Sequence, residues 1–81
     1  MNNIKMFQSY DSLIAIYDRD NNKLVIGRHW DYSVTTIKYF YQFLRYNCYS
    51  IWRSLPDGKS GKDKINKAID LGLIEYDPNM I

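Results

Sequence analysis

The chain is poor in the residues that most often do chemistry. Its 81 residues include one histidine, His29, and one cysteine, Cys48. A lone thiol excludes an internal disulfide and fits a reducing cytoplasm. Zinc sites draw three or four Cys, His or carboxylate ligands at close spacing, and no such spacing occurs. Nucleophilic hydrolysis needs a nucleophile, a base and an orienting acid, and no such set can be assembled around His29. No run approaches the roughly 18 apolar residues of a membrane span, and no charged-then-apolar start suggests a signal peptide. There is no repeat and no low-complexity segment. Acidic residues are missing from the whole stretch between Asp31 and Asp57.

Apolar residues make up 46% of the chain and charged ones 25%, which is a globular composition. The length suits a single domain over residues 1–81. A domain this small buries only about 60–65% of its unfolded surface, so little core is left for a deep pocket. Aromatics are abundant at 16%, with eight tyrosines and two tryptophans. Tyrosine supplies contact area with a polar tip, which suits both small cores and interfaces. The net charge of +2 is too small to choose a partner.

Ile4–Tyr10 has strand-like composition and is broken by Asp11-Ser12. Leu13–Tyr17 and Lys23–Ile26 are short apolar runs joined by Asp18-Arg19-Asp20-Asn21-Asn22, which reads as a β-hairpin. Leu13 and Ala15 alternate with Ile14 and Ile16, so both faces of that strand are apolar. From Ile37, apolar residues recur at steps of three and four through Phe40, Tyr41, Leu44, Cys48, Ile51, Trp52 and Leu55. This predicts a helix from about Thr35 to about Ser54, loosened near Asn47–Ser50 where propensity is poor. Pro56-Asp57-Gly58 stops it. A second helix is expected over Lys62–Leu71, capped by Gly72, followed by a short strand at Leu73–Tyr76. The order β-β-β-α-α-β predicts an α+β fold, a small antiparallel sheet packed on two helices.

Three stretches resemble sites and are better read as structure. Cys48 lies on the inner stripe of the first helix, where a thiol acts as a small apolar filler. Asp18, Asp20, Asn21 and Asn22 lack the glycine and distant glutamate of a calcium loop and suit a turn. Gly58-Lys59-Ser60 lacks the first glycine of a phosphate loop, because Arg53 stands there, and it follows a helix rather than a strand. The helix opening at Ser60 or Gly61, with lysines close by, still offers amides to an anion. No metal or cofactor is expected.

The first helix carries two outward flanks. Lys38, Arg45 and Arg53 share one with Gln42 and Tyr49, and no acid compensates them. Lys38, Arg45, Tyr49 and Arg53 are therefore the candidate nucleic-acid-binding residues for DNA or RNA. Three cations are a sparse patch for that purpose. The other flank holds Thr36, Tyr39, Phe43 and Tyr46. Either the second helix covers it, or it is an exposed interface for a partner protein or a second copy of the chain. Trp30, Tyr39, Phe43 and Tyr46 are the candidate protein-interface residues. Ser33 or Thr35 can cap the helix, with Trp30 and Tyr32 set to pack on Ile37 or Tyr39.

The segment Tyr32-Ser33-Val34-Thr35-Thr36-Ile37-Lys38 resembles one found in short phage-encoded proteins of unassigned function. In these, a strand-rich part leads into Tyr-Ser-x-Thr-Thr-Ser-Lys-His and a helix. The resemblance runs from Ser9 to about Leu44, and more weakly over "INKAIDLGLIEYD". This chain departs from it at Ile37 and Tyr39, where the pattern has serine and histidine. The resemblance implies a phage or mobile-element origin and action in the cytoplasm of a bacterial host. The closing "LGLIEYD" also loosely resembles the helix and wing strand of winged-helix proteins, but the three strands that come first argue against that fold. The expected function is a non-enzymatic protein that binds and modulates a host protein or protein–nucleic acid complex, such as an inhibitor of a defence system of the anti-CRISPR type. The alternative is a small nucleic-acid-binding protein using the basic flank.

Overall fold

The polar pentapeptide Asp18–Asn22 turns the chain because its side chains satisfy its own backbone. Asp18 accepts hydrogen bonds from the Asp20 and Asn21 amides at 3.1 and 3.4 Å and from the Asn21 side chain at 2.6 Å. Asn22 sits at φ 49°, a left-handed conformation that asparagine tolerates. The turn joins β2 (Ser12–Asp18) to β3 (Lys23–Ile26) as an antiparallel hairpin. The structure, a computed structural model, describes residues 3–9 and 11–80. β1 (Ile4–Ser9) pairs antiparallel with β2. Tyr10, expected at the end of this strand, lies outside the described residues.

β2 resolves the puzzle of its two apolar faces with a bulge. Gln8 pairs with Leu13 while Phe7 pairs with Ala15, so Ile14 is an extra residue on β2. The extra residue breaks the strict alternation, and the adjacent Ile14 and Ala15 are both buried. No second layer is then needed to cover Ile14.

Helix α1 (Val34–Asn47) starts at Ser33, whose hydroxyl accepts from the Thr36 amide at 3.1 Å. Its inner stripe of Thr36, Phe40 and Leu44 is sealed against the sheet. The helix breaks at Cys48, and a single further turn, α2 (Tyr49–Arg53), continues the path. The break falls in the stretch of poor propensity and lets Cys48 and Ile51 both reach the core. α3 (Gly61–Asp70) is capped by Ser60, whose hydroxyl accepts from the Asp63 amide at 3.2 Å. It ends at Gly72, φ 81°, with Gly72 and Leu73 amides donating to the Ile69 and Ala68 carbonyls.

That terminal turn absorbs Leu73 and Ile74, so the last strand β4 is only Glu75–Tyr76. The expected all-antiparallel sheet is mixed at this point. The order is β1-β2-β3-β4, and β4 runs parallel to β3 through Val25↔Glu75 and Ile26↔Tyr76. The cause is the connection: a helical crossover, here α1 to α3, returns the chain to the end it left, which is how parallel neighbours arise. The fold remains α+β, with all helices on one face of the sheet. A single core cluster of Ile14, Tyr17, Leu24, Ile26, Trp30, Phe40, Leu44, Ile51, Ile65 and Ile74 with their neighbours joins sheet and helices.

Candidate functional site

α1 has its rotation set by the side chains it buries. With Phe40 and Leu44 locked inward, Lys38, Tyr39, Gln42, Arg45 and Tyr46 fall within an outward arc of about 120° at 100° per residue. All five are exposed. The two flanks expected from the sequence are therefore one continuous face. α3 does not cover it. α3 meets α1 on the opposite edge, where the Tyr41 hydroxyl donates to the Gly61 carbonyl at 2.8 Å. A Cβ on Gly61 would lie 2.9 Å from the Tyr41 ring, so the absence of a side chain permits this approach.

Two of the four candidate interface residues belong to the core. Trp30 is 4% exposed and packs on Phe40 at 6.4 Å between ring centroids. Phe43 is 9% exposed and stacks on Phe7 of β1 at 5.7 Å. Neither offers a surface. The cover for Phe43 comes from the first strand, not from the second helix. The expected contact of Trp30 with Ile37 or Tyr39 at the helix start is made with Phe40 instead, one turn deeper. Tyr39 at 50% and Tyr46 at 78% stay open.

Lys38, Arg45, Tyr49 and Arg53 are exposed, and Trp52 stands among them. Tyr49 and Trp52 stack at 5.6 Å with an interplanar angle of 27°. The Arg45 guanidinium lies 5.7 Å from the Trp52 centroid, and that of Arg53 lies 5.8 Å from the Tyr49 centroid. The result is a guanidinium–indole–phenol–guanidinium row crossing from α1 to α2. Each cation–ring contact at an exposed site is worth about 0.5–1 kcal/mol, enough to bias a flexible arginine toward one place. Among the described residues the ion pairs are Lys23–Glu75, Lys62–Asp31 and Lys67–Asp63, and none involves Lys38, Arg45 or Arg53. Among the described residues no carboxylate engages the guanidinium N–H groups of Arg45 or Arg53. The nearest turn does bring acid to one end of the face: Ser50 donates to Asn22 at 3.0 Å, and Asp18 and Asp20 share that turn. Asp18 is held below the usual carboxylate range, chiefly by the Asn21 side-chain hydrogen bond. Trp52 was hidden from a reading by stripes, because it follows the inner spacing yet turns an edge outward. Its distances of three from Tyr49 and seven from Arg45 are the signal that could have revealed it.

The other candidates close in different ways. Burial pushes the Cys48 thiol up to about 12, so it is no nucleophile at neutral pH. At the start of α3 the place an anion would take is held by the chain's own Asp63, whose carboxylate accepts from the Lys59 amide at 2.9 Å. That hydrogen bond lowers the Asp63 pKa. A hollow of 410 Å³ lies beside His29, lined also by Asp11, Ser12, Ile14, Tyr32 and Thr36. Among the described residues no hydrogen bond joins His29 to Asp11 or Ser12, and the Thr36 hydroxyl is bonded to Ser33 at 3.0 Å. Among the described residues no three His, Cys, Asp or Glu side chains group to hold a metal ion, and no helix is long and apolar enough to cross a membrane.

Residues 1–65, from β1 into α3, match a family of unknown function, DUF8033, and the chain belongs to that family. No curated protein and no solved structure matches it.

Proposed function

We propose that this is a non-enzymatic binding protein of a phage or mobile element, acting inside a bacterial cell on a host macromolecule. The observation that carries the reading is the continuous open face of α1 and α2, where Tyr39, Tyr46 and Tyr49 stand among Lys38, Arg45 and Arg53. Tyrosine, tryptophan and arginine carry most of the binding energy where macromolecules meet. The modulating role is inhibition of a host defence system, of the anti-CRISPR type, on the strength of the phage-like segment Tyr32–Lys38. A face of this charge does not imitate a nucleic acid. It engages either an acidic protein surface or the nucleic acid of a host complex.

The test is site-specific photo-crosslinking in the native bacterial host, with the reactive group at position 46 or, as a control, at position 6 on the far side of the sheet. A discrete adduct from position 46, lost on Arg45→Ala, is the expected result. Adducts from position 6 alone would place the working surface elsewhere and end the reading. For the inhibitory role, phage plating is compared on defence-bearing hosts with and without the protein. Unchanged plating across the defence types tested would remove inhibition while leaving binding intact. The nucleic-acid alternative is favoured by one observation, the row of stacked rings and arginines.

A further inference from the structure

We infer that the row Arg45–Trp52–Tyr49–Arg53, with Tyr46 beside it, binds a single strand of nucleic acid. This rests on the α1–α2 face being the working surface, and it names the chemistry that face takes.

The charge count decides between strand types. Binding to a duplex without base readout draws its affinity from phosphate neutralisation, and affinity grows with the number of contacts. Lys38, Arg45 and Arg53 supply three contacts at most on this face, which is few for a duplex binder. A single strand adds a second source, because unpaired bases stack on exposed rings. Tyr39 and Tyr46 are each at least half exposed, while the Tyr49 ring is engaged by Trp52 and Arg53. A duplex keeps its base faces in its own stack, so these rings would find nothing to lie against. The face thus pairs three cations with open tyrosine rings, a combination that suits a single strand.

The arginines are suited to phosphate rather than to bases. Each guanidinium rests on a ring of the row, Arg45 on Trp52 and Arg53 on Tyr49, at 5.7 and 5.8 Å. A guanidinium held near a ring, and in no ion pair among the described residues, can meet a phosphate in two parallel hydrogen bonds. The two arginines stand at opposite ends of the row, with Trp52 and Tyr49 between them. They would hold successive parts of one backbone, with bases turned to Tyr46 and Tyr39 alongside. An acidic peptide satisfies the arginines equally well, but only unpaired bases bring flat faces that stack on the tyrosine rings, so the observations favour the strand.

The experiment uses the full chain with fluorescein-labelled 20-nucleotide oligothymidylate and oligouridylate, a 20-base-pair duplex, and polyglutamate as competitor. Anisotropy is followed across a salt series, together with tryptophan emission. The expected result is single-strand binding several-fold tighter than duplex binding, with quenching of Trp52 while the enclosed Trp30 is unaffected. Arg45→Ala and Arg53→Ala each weaken binding several-fold and reduce the salt slope by about 0.7, the value for one phosphate contact on a single strand. Tyr46→Ala weakens binding with the slope unchanged, because a stacked ring releases no counterion. Lys59→Ala, in the link before α3, leaves both unchanged. The thymidylate and uridylate arms separate DNA from RNA. Thermal melts by circular dichroism confirm that each variant is folded.

Absence of single-strand binding at low salt overturns the inference. So does equal affinity for duplex, or displacement by polyglutamate at equal charge. If the strand does not bind while the crosslink from position 46 persists and depends on Arg45, the inference falls and the proposed working surface stands. If Arg45→Ala and Arg53→Ala affect neither binding nor crosslinking, both fall.

Discussion

On the inner side of α1, Phe40, Leu44 and Thr36 are sealed from solvent, and on its outer side Tyr39, Tyr46 and the basic residues stand open. Both sides are rich in aromatics, so composition alone does not separate them. The difference lies in what stands opposite. Phe40 meets Trp30, and Phe43 meets Phe7, whereas Lys38, Tyr39, Gln42, Arg45 and Tyr46 stay exposed. An aromatic excess in a small domain therefore serves two ends at once. Rings facing the sheet supply the burial that a short chain needs, and rings facing solvent remain available for contact.

The inner side depends most on Phe40. Phe40→Ala removes the ring at the centre of the inner side, and such truncations cost about 3–5 kcal/mol. A domain of this size has a total stability of order 5–10 kcal/mol, so the variant should be largely unfolded or melt far lower in urea. A small shift in midpoint would show that the inner side is loosely packed.

Cys48 probes the same side through pH. Its folded pKa is raised to about 12 from an ordinary value of 9.0 by burial. The unfolded thiol ionises first, so its contribution is fully present below pH 9 and is lost as pH rises toward 12. Between those limits stability should fall by about 1.4 kcal/mol per pH unit from this group, or about 2–3 kcal/mol by pH 11. Tyr41, raised by burial as well, acts in the same direction. Urea melts of the wild type and Cys48→Ala across this range should differ in slope by one proton. Equal slopes would mean that the thiol is reached by water.

Gly61 marks the edge where α1 meets α3. Adding a methyl puts a carbon 2.9 Å from the Tyr41 ring, and the hydroxyl bond to the Gly61 carbonyl restrains that ring. Overpacking of this kind costs about 1–3 kcal/mol, offset in part by alanine's better helix propensity. A net loss near 1–2 kcal/mol is expected for Gly61→Ala, with relief in the double variant Gly61→Ala, Tyr41→Leu. Ser33→Ala comes next, at about 1 kcal/mol for a lost N-cap. Thr35→Ala should cost less, because Ser33 and not Thr35 makes the cap bond. Equal losses would mean that the cap is shared.

What could be read from the sequence was local. The Asp18–Asn22 turn, the Ser60 and Gly72 caps, and the loosening near Cys48 each depend on residues within one turn of chain. What could not be read depends on partners far away. The bulge at Ile14 leaves no mark in an apolar run that suits either face. The parallel direction of β4 follows from the path of three helices. Trp30 and Phe43 look like surface residues in sequence because their cover, Phe40 and Phe7, lies ten residues or more away along the chain. The arginine–ring row spans the break between α1 and α2, which no single helical wheel can draw. The candidate site was half legible: Lys38, Arg45, Tyr49 and Arg53 follow from spacing and the missing acids, while Trp52 needed the fold.

The inner and outer sides meet most closely at Phe43 and Tyr46. Tyr46 and Phe43 are three residues apart on one helix, one 78% exposed and the other 9%. Phe43→Ala should cost about 3 kcal/mol, as for other enclosed rings. Tyr46→Ala should change stability by less than about 0.5 kcal/mol, since an exposed ring loses little contact and alanine is the better helix former. Paired urea melts give both numbers in one experiment. If Tyr46→Ala destabilises as Phe43→Ala does, its ring is enclosed in solution by another surface, such as a second copy of the chain. Tyr46 would then be structural, and the face would already be occupied. If stability holds while crosslinking or strand binding weakens, Tyr46 is kept for contact and not for folding, and the outer side of α1 is a surface with a use separate from the fold.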